Sequence, residues 1–207
     1  MTALVLDIET LPVRPVMNAM NWRHPREQKT HEWLEEHAKV KPGLHPLFSE
    51  VAVISYDHDR GLPSNTKDAL QHGTERDMLH SLLEELEGLR SATLVTYNGF
   101  GFDLPMLQQR LRLHGLPRLR WEENPWRHGL GNHYDVMLAL AGGAKDRFPY
   151  VPLDVAYAVV LDEEPPERPD LETAQAAWYR GDPVPLRTRC EADVRMTGEL
   201  YERVVGR

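Results

Sequence analysis

The sequence predicts an α/β fold: a mixed β-sheet flanked by helices, in one domain spanning residues 1–207. Three observations carry this expectation. "ALVLDIE" near the start is an almost continuous apolar run, as in a strand buried on both faces. "EVAVISYD" from Glu50 is a second run rich in Val and Ile. Beyond these two, helical and strand-like patterns alternate, and the chain closes on helices.

Taken in order, residues 12–46 are rich in proline yet contain "REQKTHEWLEEHAKVK", which has helical composition. They read as an inserted helix between loops. After the second strand, "HDRGLPSN" is a turn and "TKDALQHG" a short third strand. "TERDMLHSLLEELEGL" opens like a capping box and carries Met78, Leu82, Leu86 and Leu89 at helical spacing. "SATLVTYNG" is a strand ending at Asn98-Gly99. "DLPMLQQRLRLHG" is a helix, with Asp103 suited to its N-cap, Pro105 in its first turn and Gly115 as its stop. "HYDVMLAL" reads equally as strand or helix. "PLDVAYAVVL", "PDLETAQAAWYRG" and a long terminal segment from "VPLRTRCEADVRM" are helices.

Composition narrows the function classes. With 207 residues, 41% hydrophobic and 27% charged, the chain is an ordinary globular protein. No apolar run reaches the roughly 18–20 residues needed to span a membrane. The first run lacks a basic leader and breaks at Asp7, so it reads as a strand and not a signal peptide. A lone cysteine, Cys190, excludes an internal disulfide and zinc-type cysteine clusters, which agrees with a cytoplasmic location. The net charge of −8 argues against nonspecific nucleic-acid binding over the whole surface. It leaves room for a local site, and Arg110, Arg112, Arg118, Arg120 and Arg127 cluster in sequence; a solvated helix face and loop accounts for them equally well.

Acids stand at three unexpected places. Asp7 and Glu9 are two apart in "DIET", so on a strand both project from one face, and their charges oppose each other's ionisation. Asp103 follows "NGFGF", a loop with two glycines and two phenylalanines. Asp193 interrupts the apolar stripe Leu186, Cys190, Thr197, Leu200, Val204 of the last helix and therefore points inward. A buried aspartate needs a partner. Arg189, one turn earlier, is one choice, and a metal shared with Asp7 and Glu9 is the other. Four oxygen-donating carboxylates suit hard divalent ions such as Mg²⁺ or Mn²⁺, and two such ions would serve phosphodiester cleavage.

These residues carry a resemblance. The chain resembles the DEDD superfamily of 3′→5′ exonucleases, with a ribonuclease H-like fold. It is most similar to stand-alone relatives of the proofreading domains of B-family DNA polymerases. The first motif, Asp-x-Glu, matches Asp7 and Glu9. The second matches "NGFGFD", ending at Asp103. The third, an aspartate on the last helix, matches Asp193. Weaker matches are "HPLFSEVAVIS", "HYDVM" and "PLDVAYAVVL". The resemblance implies that Asp7, Glu9, Asp103 and Asp193 hold two divalent ions, Mg²⁺ or Mn²⁺. It implies that Thr10 and Leu11 border the terminal nucleotide and that Asn98 and Phe102 contact the strand. The implied activity is removal of nucleoside monophosphates from single-stranded or frayed DNA 3′ ends. The same chemistry on RNA and a catalytically impaired nucleic-acid-binding module are the alternatives.

One position departs from the pattern. The family places a tyrosine four residues before the last aspartate, or a histidine five before it; here Arg189 and Thr188 stand there. Arginine keeps its proton throughout the physiological range and is a poor base. Arg189 instead suits a substrate phosphate or a salt bridge to Asp193.

Overall fold

The computed structural model describes residues 3–12, 44–58, 65–89, 91–121, 132–142 and 150–206. Most of the expected 12–46 insert and Arg127 lie outside the described residues.

The nearly continuous apolar first run gives β1, Ala3–Pro12, at the centre of the sheet. β2, Ser49–Asp57, pairs with it antiparallel, so that Asp7 faces Ser55 and Glu9 faces Val53. The register shifts between Glu9 and Thr10, which pairs with Val51. β3, Asn65–Asp68, adds outside β2. It is shorter than the "TKDALQHG" run, because Asp68 accepts a hydrogen bond from the Gln71 amide and starts the short α1, Ala69–His72.

Thr74 caps α2, Glu75–Glu87: its Oγ1 accepts from the Asp77 amide, as the sequence predicts. Met78, Leu79, Leu82 and Leu86 form the helix's buried stripe. β4, Thr93–Thr96, pairs parallel with β1 on the side away from β2. α3, Asp103–Leu113, follows. The ambiguous "HYDVMLAL" is both elements in succession: β5, His133–Asp135, pairs parallel with β4, then α4, Val136–Leu140, begins. Asp135 makes the switch by capping α4 through the Leu138 amide at 3.2 Å. α5, Leu153–Leu161, α6, Leu171–Tyr179, and α7, Val184–Val205, complete the described chain.

The strand order is β3-β2-β1-β4-β5. Leu4, Leu6 and Ile8 of β1 pack with α2 and α3 on one face. Val5 packs with α4, α5 and α7 on the other, and further along the strand Leu11 packs with α6 and α7. β1 is thus covered on both sides, which explains its continuous apolar run. Asp7 and Glu9 fall between Val5 and Leu11 on the α7 face, interrupting an otherwise hydrophobic layer. No helix among the described residues is long and apolar enough to cross a membrane.

Candidate active site

The β1 pleat sends Asp7 and Glu9 toward the same helix, α7. There the carboxylate oxygens of Asp7, Glu9 and Asp193 come within 4.8 Å of one another. Asp193 is 8% exposed, as its place in the helix stripe predicts. Cys190, one turn earlier and fully buried, lies 3.4 Å from both the Asp7 carbonyl oxygen and Asp7 Oδ2. Its small side chain lets α7 approach the strand closely.

Asp103 arrives from the opposite end of the chain's β4–α3 connection. The loop is held by two devices. Asp135 accepts hydrogen bonds from the amides of Asn98 (3.0 Å) and Phe100 (3.1 Å). Thr96 Oγ1 accepts from Gly99 N at 3.1 Å and meets His133 Nε2 at 2.8 Å. A Cβ on Gly99 would lie 2.0 Å from Thr96 Oγ1, so only glycine permits this approach. Asn98 takes a left-handed φ of 68°, which asparagine tolerates better than most residues.

Asp103 departs from its expected role as an N-cap. The cap position is Phe102, with no side-chain cap bond; Asp103 is the first helical residue and is 3% exposed. The amides of Ile8 and of Asp103 itself face its carboxylate. Oδ1 is buried without a hydrogen-bond partner. Leaving such a group unpaired costs on the order of 1–3 kcal/mol.

The electrostatics follow from burial and crowding. Burial, then the Asp103 and Glu9 charges, push the Asp7 carboxyl well above its ordinary range. Burial, helped by the Asp135 and Glu9 charges, raises Asp103 to about 7. Glu9 is also raised by burial, against the opposing pull of Arg189 and Arg168. Three oxygen donors in a tight group, two of them disfavoured as bare anions, with the partnerless Asp103 Oδ1 as a further donor, fit a hard divalent cation.

Two arginines complete the site, and their pairing differs from the sequence expectation. Arg189 does not partner Asp193. Its Nε lies 2.9 Å from Glu9 Oε1, and its Nη1 donates to the Pro169 carbonyl at 3.2 Å. The i,i+4 relation along α7 lost to the strand beneath because Glu9, only 12% exposed at its side chain, itself needs a cation. The partner of Asp193 is Arg168, whose Nη1 contacts Asp193 Oδ1 and whose Nη2 lies 2.5 Å from Asp154 Oδ1. Nothing in the sequence pattern singles out Arg168; it lies in the α5–α6 loop, and only folding carries it here. Tyr150 was also missed. Partial burial, then the charges of Asp103, Asp135 and Asp7, push its phenol up, although the residue is 60% exposed.

The other expected contacts are distributed unevenly. Thr10 is nearly buried and Leu11 is fully buried in the core with Trp178 and Leu186. Phe102 is half-buried against the α2–α3 core, and Phe100 stacks obliquely on His133, with ring centroids 4.1 Å apart. Arg110, counted in the basic cluster, is 9% exposed and bound to Glu75, so it offers no phosphate contact at the surface. Arg120 lies 3.8 Å from Glu87, and Arg112 donates to Gln109.

Comparison with known proteins agrees with this architecture. A family described as a predicted 3′-5′ exonuclease related to the exonuclease domain of PolB matches residues 44–142. That stretch includes Asp103 but not Asp7, Glu9 or Asp193. No curated protein matches the chain. Among solved structures, the family B DNA polymerase from the hyperthermophilic archaeon Pyrobaculum calidifontis is similar over 99% of this chain, with a TM-score of 0.64 and 19% identity. This chain spans 24% of that polymerase's length. The resemblance read from the sequence is thereby borne out: residues 44–142 match a family described as a predicted 3′-5′ exonuclease related to that of PolB, and the chain shares the fold of that polymerase's matching part, a mixed sheet flanked by helices.

Proposed function

We propose that this chain is one DEDD-type domain that hydrolyses the terminal phosphodiester at the 3′ end of single-stranded or frayed DNA. The observation that carries this reading is the convergence of Asp7, Glu9 and Asp193 within 4.8 Å, with the buried Asp103 carboxylate, its Oδ1 partnerless, near enough for its charge to act on Asp7. Asp7, Glu9, Asp103 and Asp193 would hold two divalent ions, Mg²⁺ or Mn²⁺. Such ions stabilise charge on the reacting phosphate and acidify an attacking water.

The chain's own residues do the rest. The β1 pleat and α7 fix three carboxylates, while the Asp135-braced loop fixes the fourth. The low-polarity layer around them keeps the site drier than bulk solvent and strengthens every charge interaction in it. Asn98 and Phe102, on that same loop, flank the strand. Thr10 borders the terminal nucleotide and Leu11 supports it from the core. Arg189, held between Glu9 and the Pro169 carbonyl, presents its remaining N–H groups to a substrate phosphate and does not act as a base.

The test is a 5′-labelled single strand incubated with Mn²⁺ or Mg²⁺, comparing wild type with Asp7→Ala. A shortening ladder that needs the metal and is lost in the variant is expected. Tight binding without degradation under either ion would overturn the reading in favour of a binding module. Parallel DNA and RNA strands read the sugar preference.

A further inference from the structure

The exonuclease reading leaves one of the site's two arginines without a role. Arg168 sits in the Asp162–Asp170 connection between α5 and α6. Its guanidinium is 11% exposed and forks between two acids on different helices, Asp154 on α5 and Asp193 on α7. Asp154 is half-exposed and stands outside the carboxylate cluster, whereas Asp193 belongs to it. The same guanidinium acts on Asp7 and Glu9 as well, favouring their ionised forms. Arg168 thus sits on the carboxylate cluster as a positive charge, where a metal would also find its donors.

We infer that Arg168 is the site's resident counter-cation: it holds Asp193 in place before metal arrives and must yield that carboxylate for the metal to bind. The proposal rests on the exonuclease reading. The physical reason is competition for one lone-pair set. Asp193 Oδ1 cannot keep a guanidinium contact and also give its electrons fully to a divalent ion. The fork geometry makes this exchange feasible without unfolding the loop. When Asp193 is released, Nη2 keeps Asp154, so the guanidinium stays tethered at the edge of the site. Arg189 differs in this respect. Its second anchor is the Pro169 carbonyl, and its carboxylate partner is Glu9 on the rigid central strand.

The experiment is Mn²⁺ binding to the full, metal-stripped chain, read from the loss of the free-ion paramagnetic resonance signal. Wild type, R168Q and R168K are compared, with near-ultraviolet circular dichroism checking the fold. R168Q is expected to bind Mn²⁺ on the order of tenfold tighter, about 1.4 kcal/mol, because the competing charge is gone. R168K retains the charge but cannot fork, so it falls between the two. A purely structural role predicts the opposite: loosened Asp193 and weaker Mn²⁺ binding. Mn²⁺ binding in the folded variants that is no tighter than wild type, while wild type binds Mn²⁺ and degrades a strand, overturns the inference alone. If neither wild type nor R168Q takes up Mn²⁺, the exonuclease reading fails together with it.

Discussion

Two buried acid clusters lie on opposite faces of the same sheet, and they are built in opposite ways. Glu75, 6% exposed at the start of α2, is saturated. It accepts from the Val51 amide at 2.7 Å, from Arg110 Nε at 2.9 Å, and meets His114 Nε2 at 2.6 Å. Arg110 in turn donates to the Pro46 carbonyl at 2.9 Å, which ties the segment before β2 to α3. These bonds overcome burial and hold the Glu75 carboxyl below its ordinary range. In the Asp7 cluster, burial and like charges win, and the carboxyls are pushed up. A carboxylate that serves the fold is given its full set of donors. On the proposed reading, a carboxylate that serves chemistry is left short of them, and a ligand would supply the difference.

This contrast can be broken from either side. The largest effect is expected on the saturated side. Glu75→Ala leaves the buried Arg110 guanidinium without its counter-charge and should cost about 3–5 kcal/mol in denaturant unfolding. Nuclease activity per folded molecule should persist. A loss below about 1 kcal/mol would mean that water replaces the pair readily.

On the deficient side, Asp103→Asn should reduce exonuclease turnover by on the order of 10²–10³-fold while leaving the metal-free protein as stable as wild type or more so. Steady-state rates beside chemical denaturation in chelator decide this. A large stability loss would place Asp103 with Glu75 as a structural acid.

The two clusters also predict opposite pH limbs. Asp103, raised to about 7 from an ordinary 3.8, binds its proton more tightly in the folded state. Its contribution to stability is full below about pH 4 and is lost as pH rises through 7, with a slope of at most about 1.4 kcal/mol per pH unit. Glu75, lowered from 4.5, contributes stability above its unfolded value and loses it as pH falls through the folded one. The chelated protein should therefore be most stable in mildly acidic buffer. Asp103→Asn should weaken the upper limb, to which the raised Asp7 and Glu9 carboxyls also contribute, and leave the lower one; an unchanged upper limb would assign it to those groups alone.

The smallest effect belongs to charges in neither cluster. Arg195 pairs with Glu199 one turn along α7 in an exposed position. Arg195→Ala should change unfolding free energy by less than about 0.5 kcal/mol, and a larger change would show that the pair is part of a wider network.

Much of this was legible in the residues. The continuous apolar run of β1, the Val and Ile of β2, the Thr74 cap and the α7 stripe are local signals, and each gave the element expected. The acids at 7, 9 and 193 stood out because each violates a local rule, and Asp103 because of the Gly- and Phe-rich loop before it. The misreadings share one cause. Asp103 looked like a cap and Arg189 like the partner of Asp193, because sequence proximity was the only geometry on offer. Arg110 looked like part of a basic surface because its partner, Glu75, is 35 residues away.

The sequence by itself determined the elements, their buried faces and the chemical character of the four acids, since periodicity and side-chain type are properties of a chain segment. Which charge neutralises which was decided only by tertiary structure. Burial makes an ion choose the partner that reaches it with the least exposed charge left over, and that choice depends on what other elements bring into range. The α5–α6 loop brought Arg168 to Asp193, and the central strand drew Arg189 to Glu9.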